Sequence, residues 1–181
     1  MYDKILDVAE ELFMTKGYQA TSTRQITEIL GVTQPTIYYH FKNKEEIYFE
    51  VMRRLSKESK KQLDELAMLD DLSLDDKMIQ MVESLKHRQP VNLFVMIHDI
   101  QHSLSPQVSY ELYQMFLSSY KQPFVRLLES NKDKLRKTLD IELAVSQLFI
   151  LIASYLNSSK EQGEPSDFSA KFDLFFYGIH G

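Results

Sequence analysis

The sequence predicts an all-α protein: a compact three-helix head joined through a fourth helix to a larger helical body, about nine helices in all. Three observations predict it. Apolar residues recur at three- and four-residue spacing along most of the chain. Only five glycines and five prolines interrupt the 181 residues, few for a turn-rich β protein. Capping signals stand where the helical patterns begin.

The first helix is expected over about residues 3–16, where Ile5, Leu6, Ala9, Leu12 and Phe13 form one apolar stripe. Gly17 ends it, because glycine takes the left-handed conformation readily. Ser22, with Gln25 three residues later, is a capping box that opens the second helix. Ile26, Ile29 and Leu30 give that helix its apolar face, and Gly31 stops it. Thr33 caps the third helix. Pro35 falls in its first turn, where a missing N–H has no partner to lose, and Ile37 and Phe41 form its inward side. Asn43 and Glu46 repeat the capping pattern and open a long fourth helix through about Leu66, with Ile47, Val51 and Leu55 among its apolar positions.

Further helices are expected at about 74–87, 91–103, 107–136 with a bend at Pro123, 140–160 and 167–179. The breaks between them are Gln89-Pro90, Ser105-Pro106, Thr138-Leu139-Asp140 and Gly163-Glu164-Pro165. The expected domains are a head over 1–46 and a body over 47–181.

The chain has no cysteine, which excludes disulfide frameworks and thiolate metal sites and fits a cytoplasmic protein. Its N-terminus lacks the basic and apolar regions of a secretory signal. The most apolar run, Leu143 to Leu156, contains Ser146 and Gln147 and falls short of the ~20 residues of a membrane span. The net charge of −5 is unevenly spread: residues 1–61 carry ten Lys+Arg against nine Asp+Glu, the remainder eleven against seventeen. Nucleic-acid binding needs only a local basic face, so this balance leaves that function open.

Two short helices separated by Gly31-Val32-Thr33 outline a helix-turn-helix. In such a unit the second helix enters the major groove. Gln34 suits base edges, and Thr36 offers a hydroxyl or a methyl to thymine. Tyr38, Tyr39 and His40 can reach phosphates or stack on sugar and base edges, with a partly buried aromatic as the other reading for one of the two tyrosines. Lys44 stands at the start of the fourth helix, where its charge and the backbone N–H groups both attract phosphate. Thr23 and Arg24 can clamp phosphates from the start of the second helix.

The stretch Ile5 to Phe49 resembles the DNA-binding domain of the tetracycline-repressor (TetR-like) family. The resemblance rests on Ala9-Glu10-Glu11-Leu12-Phe13, on Gly17-Tyr18-Gln19-Ala20-Thr21-Ser22, on Ile26 with Gly31-Val32-Thr33, and most densely on Gln34 through Lys44. It implies a base-reading role for Gln34, Pro35 and Thr36. It implies phosphate contacts for Tyr38, His40 and Lys44 with Thr23 and Arg24. Thr27 departs from the small alanine usual there, which is expected to alter packing between the second and third helices slightly. The resemblance further implies a homodimeric, non-enzymatic repressor that binds a palindromic double-stranded operator and is released by a small molecule.

The body's own sequence supports dimerisation. The helix from Leu143 to Leu156 is apolar on nearly every face, and the last helix adds a wide aromatic face. Leu143, Ala144, Leu148, Leu151, Tyr155, Phe172, Phe175 and Phe176 are the expected interface of a four-helix arrangement about a two-fold axis. Met81, Phe94, His98, Tyr113, Phe116 and Tyr120 are candidate walls of a pocket for a lipophilic or aromatic effector, with plain core as their other reading. No cofactor is expected.

One feature favours a different class. His98 and His102, four apart on one helix face, can bind a metal, with Asp99 loosely imitating a catalytic carboxylate. A third ligand is not obvious, since His87 and His180 are distant in sequence. No phosphate loop, nucleophile elbow or dinucleotide fingerprint occurs.

Overall fold

The computed structural model describes residues 1–87, 99, 102–158 and 166–180, the side chains of 86, 87, 155–158 and 166–169 excepted. All the regular structure among them is helical apart from one isolated bridge between Leu135 and His180. Their contacts form two units: Met1–Lys57 with Pro90–Met115, and Glu58–Gln89 with Phe116–Gly181.

In the first unit, α1 (Tyr2–Ala20) turns sharply at Gly17, whose φ of 80° and ψ of 170° separate the expected helix from a last short turn. Helix α2 (Thr23–Leu30) begins with the capping box read from the sequence: Ser22 Oγ accepts from the Gln25 N–H, and Gln25 Oε1 accepts from the Ser22 N–H. Gly31 follows in the left-handed region at φ 64°. Helix α3 (Gln34–His40) starts after Thr33, whose hydroxyl meets that of Thr36 at 3.1 Å instead of capping the backbone. Asn43 Oδ1 accepts from the Glu46 N–H and opens α4 (Lys44–Ala67), while Glu46 turns back to the Lys42 N–H.

Ile5, Leu6, Ala9, Leu12 and Phe13 of α1, Ile26 of α2, Ile37 of α3, then Phe41, and Ile47, Tyr48, Val51 and Met52 of α4 are buried together. Burying such side chains contributes on the order of 1.5–3 kcal/mol each and holds the short helices that could not persist alone. Arg54 of α4 reaches Asp7 and Glu10 of α1 at 2.7 and 2.6 Å, which fixes the angle between those helices. Thr27 is buried, but its hydroxyl bonds the Arg24 carbonyl at 2.7 Å, so the departure from alanine is absorbed within α2.

The second unit contains α5 (Leu74–His87), as expected. The helix expected at 91–103 lies outside the described residues, apart from Asp99 and His102, which are helical. The helix expected over 107–136 needs correction. Helix α6 (Pro106–Phe116), which belongs to the first unit through Met115, is followed in the chain by a π turn at Leu117–Lys121, then α7 (Gln122–Ser130). Pro123 has no N–H to give and its ring crowds the carbonyl four residues earlier; the preceding turn widens, and the Gln122 N–H bonds the carbonyl of Leu117. The helix stops at Ser130, not 136. The Asn131 side chain caps the Leu127 carbonyl at 3.0 Å, and buried Leu135 is extended where it bridges to His180.

Helices α8 (Ile141–Ser158) and α9 (Ser166–Ile179) pack on each other. Phe149 of α8 takes Phe116 and Phe124 edge-on at 5.6 and 5.5 Å. No helix among the described residues is long and apolar enough to cross a membrane.

Candidate nucleic-acid interface

The turn between α2 and α3 decides how α3 is presented. Gly31 reverses the chain at positive φ, and the Val32 N–H ties back to the Thr27 carbonyl at 3.1 Å. Ile37 and Phe41 then pin one side of α3 to the core. The opposite side carries Gln34, Pro35, Tyr38 and Tyr39, all exposed. Neither tyrosine is a core residue: Tyr38 is 48% and Tyr39 85% exposed. Large aromatics left in solvent at this density, above buried anchors, form a ready-made contact surface.

The surrounding side chains face the same edge. Tyr38 Oη lies 3.5 Å from the hydroxyl of half-buried Thr23. Half-buried His40 meets Tyr39 and Tyr2 edge-on, at 5.0 and 6.3 Å. Tyr2 stacks on Phe41 at 4.8 Å and donates to Glu50 at 2.9 Å, which braces the C-terminal end of α3. Arg24 is exposed and pairs with Glu28 at 3.0 Å through one of its five N–H groups. An exposed pair of this kind is weak and exchanges easily for a phosphate. Thr36 is half-buried. Exposed Lys42, which the sequence reading passed over, adds a cation just after α3; its place two residues beyond His40 is the signal that could have found it.

Lys44 is more structural than the sequence suggested. Its ammonium donates to the carbonyls of Tyr18 and Thr21, both at 2.9 Å, and sits 4.0 Å over the Tyr18 ring. A phosphate contact from Lys44 would use the third N–H. Burial lowers its pKa, and the nearby Asp99 carboxylate opposes that fall.

Asp99 needs a second correction. The residue read as a loose imitation of a catalytic carboxylate is 3% exposed and accepts from the Tyr18 backbone N–H and the Tyr48 phenol, both at 3.2 Å. Burial, reinforced by Asp99, pushes the Tyr48 phenol well above the usual tyrosine range. Burial, then Glu45 and Asp99, raises Tyr18 as well. No local pattern announces this contact, because Asp99 is 81 residues from Tyr18 and 51 from Tyr48. His98 lies outside the described residues, and His180 is engaged elsewhere, with Asp75 at 2.7 Å. Among the described residues no three metal-ligating side chains converge.

Of the candidate pocket residues, Phe94 and His98 lie outside the described residues. Met81 and Tyr120 are buried, Phe116 stacks on Tyr120 at 5.8 Å, and Tyr113 is half exposed. Of the candidate interface residues, Ala144, Leu148, Phe172 and Phe176 are buried in the single chain. Leu151 and Phe175 are half-buried, and the Tyr155 side chain is not among those described. Among the described residues of the two helices, the large apolar side chains left in solvent are Leu143 and Ile150 of α8 and Leu174 and Tyr177 of α9. Leu143 and Leu174 border one cleft of about 440 Å³ that also touches Phe175, Gln147 and Arg136.

Residues 5–51 match the family model of bacterial regulatory proteins, tetR family. Over 50 residues the chain is 46% identical to the HTH-type transcriptional regulator QacR of Staphylococcus aureus, which is 28% of this chain and 27% of that protein. The match therefore spans about a quarter of that relative's length. Across the whole chain the fold is that of solved structures far more distant in sequence. Escherichia coli NemR in its reduced form superposes with a TM-score of 0.82 at 13% identity, covering 98% of this chain and 96% of that one. The transcriptional regulator FadR of Bacillus subtilis, in complex with stearoyl-CoA, gives 0.75 at 20% identity, covering 99% and 100%.

Proposed function

The chain is TetR-like in its head and in its fold, and from that premise we propose that it is a sequence-specific DNA-binding transcriptional regulator. The observation that carries this reading is the outer face of α3, where Gln34, Tyr38 and Tyr39 stand exposed over Ile37 and Phe41. Gln34 reads base edges in the major groove, with Pro35 and Thr36 beside it. Tyr38, Tyr39, His40, Thr23, Arg24 and the remaining N–H of Lys44 contact the phosphate backbone and set register.

Reading a palindrome needs two such heads, ~34–36 Å apart. The protein is a homodimer joined through α8 and α9, in the reading the exposed Leu143, Ile150, Leu174 and Tyr177 support. Ala144, Leu148, Phe172 and Phe176 back that face from the core. It acts in the cytoplasm as a repressor, and a lipophilic or aromatic small molecule bound in the helical body releases it. The FadR neighbour's acyl-CoA makes long acyl chains one class to try first.

The test is selection of genomic fragments by the purified protein at moderate salt. A recovered palindrome with half-sites about one helical turn apart supports the reading. Retention that is independent of sequence and lost steeply with salt refutes it. A panel of apolar and acylated compounds should include one that raises the melting temperature and weakens operator binding.

A further inference from the structure

The Tyr18 peptide is gripped at both ends. Its N–H donates to Asp99 Oδ2 at 3.2 Å, and its carbonyl accepts from Lys44 Nζ at 2.9 Å. The Lys44 ammonium also holds the Thr21 carbonyl at 2.9 Å, and the Thr21 hydroxyl bonds the Gly17 carbonyl at 2.9 Å. This short segment, 18–21, leads directly into Ser22, the cap of α2, and α2 carries α3 through the Gly31 turn. Tyr48 of α4 shares Asp99 through its phenol and packs edge-on against both Phe13 and Tyr18, at 5.0 and 5.1 Å. A second tie runs from the same part of the chain: the Ser105 N–H donates to Glu45, next to Lys44, at 2.5 Å.

A buried carboxylate is costly to desolvate and persists where its hydrogen bonds recover the cost. Its partners include a backbone N–H beside the Gly17 kink and a buried phenol. Hydrophobic residues would serve packing alone; a carboxylate specifies where the Tyr18 peptide sits.

We propose that Asp99 is a positioning residue for DNA recognition, one that fixes the 18–21 segment and through it the placement of α2 and α3. The inference rests on the DNA-binding reading above. Asp99 lies far outside the helix-turn-helix in sequence, so any event that displaces it loosens the head without touching α3. It touches no DNA itself.

The test uses the full-length protein with Asp99→Ala, Asp99→Asn and Tyr48→Phe. Asp99→Ala leaves a buried phenol and a half-buried backbone N–H without this acceptor, whereas Asp99→Asn keeps an oxygen that can take at least one of them. Operator affinity should fall about tenfold in Asp99→Ala and less in Asp99→Asn, at unchanged base preference. Hydrogen exchange, which needs no DNA, should show faster exchange at Tyr18–Thr21 and through α2 and α3 in Asp99→Ala, with α8 unchanged. Exchange in Asp99→Ala that matches the wild type overturns the inference whatever the protein binds. A drop in melting temperature with full operator affinity at temperatures where the variant is folded also overturns it, since that is a packing role alone. Faster exchange in a protein whose wild type selects no operator leaves the positioning of the segment standing and removes the DNA-binding reading.

Discussion

Gln34 and Tyr39 both project from α3 into solvent, but their chemistry separates what they contribute. A carboxamide at a base edge discriminates, so Gln34→Ala should lose about 1–3 kcal/mol against the preferred base at one operator position and little elsewhere. A phenol on the phosphate backbone carries no sequence information, so Tyr39→Ala should weaken all operators alike. Titrating both variants against single-base operator substitutions separates the two patterns. Both residues were legible in the sequence because the spacing of Ile37 and Phe41 assigns the inward side and leaves the rest outside. Asp99 was not legible, since nothing near it in the chain announces that its acceptors are needed by Tyr18 and Tyr48. Lys44 was half legible: its charge was read, while its grip on two carbonyls depends on where α1 ends.

The helices of the head start and stop on local chemistry, which is why their bounds followed from the sequence. Ser22→Ala removes the cap of an eight-residue helix and should cost about 1 kcal/mol in urea unfolding. Gly31 at φ 64° has open space where a Cβ would stand, so Gly31→Ala meets no clash and should still cost about 1 kcal/mol from backbone strain alone. Gly31→Asn should cost less, because asparagine visits that region more readily. The ends of α6 and α7 were less legible, because Pro123 signals a disturbance without saying whether the chain bends or widens. An ion cluster joins α4 to α7 at Asp64, which meets Lys60 at 2.5 Å and Arg126 at 2.6 Å. Burial works against the charged carboxylate, but the bonds from Lys60 and Arg126 outweigh it and hold the Asp64 pKa below the usual range. The stabilisation is therefore present above the unfolded aspartate's pKa and is lost as pH falls through the lower folded value. Thermal melts from pH 6 to pH 3 should show a steeper acid loss in the wild type than in Asp64→Asn.

For the whole molecule, the decisive question is which side of α8 and α9 stays uncovered. Their sequences are apolar nearly all round, so periodicity could not say which residues face the chain's own core. Burial separates them: Leu148 and Phe172 face inward, Ile150 and Leu174 outward. Ile150→Glu should therefore leave the fold intact and yield a monomer in sedimentation, with operator affinity reduced by more than tenfold, since each half-site is then bound alone. Leu148→Ala should instead lower the melting temperature, with a cost of about 2–5 kcal/mol. If Ile150→Glu remains dimeric, the interface is elsewhere.

The π turn at Leu117–Lys121 has a consequence for insertions and deletions in the chain. Such a turn accommodates one residue more than an α turn, the form a helix takes when a single codon is added without unravelling it. Removing one residue there, Ser118 for instance, would close the wide turn to a regular α turn and leave the downstream residues on the faces they now occupy. Phe124 would then stay on the side of Phe149, the aromatic it now meets at 5.5 Å. What opposes the shortened form is Pro123, because a regular helix through it would drive its ring against a carbonyl. The proline thus holds the extra residue in the chain, whose loss becomes cheap only where the proline has gone first.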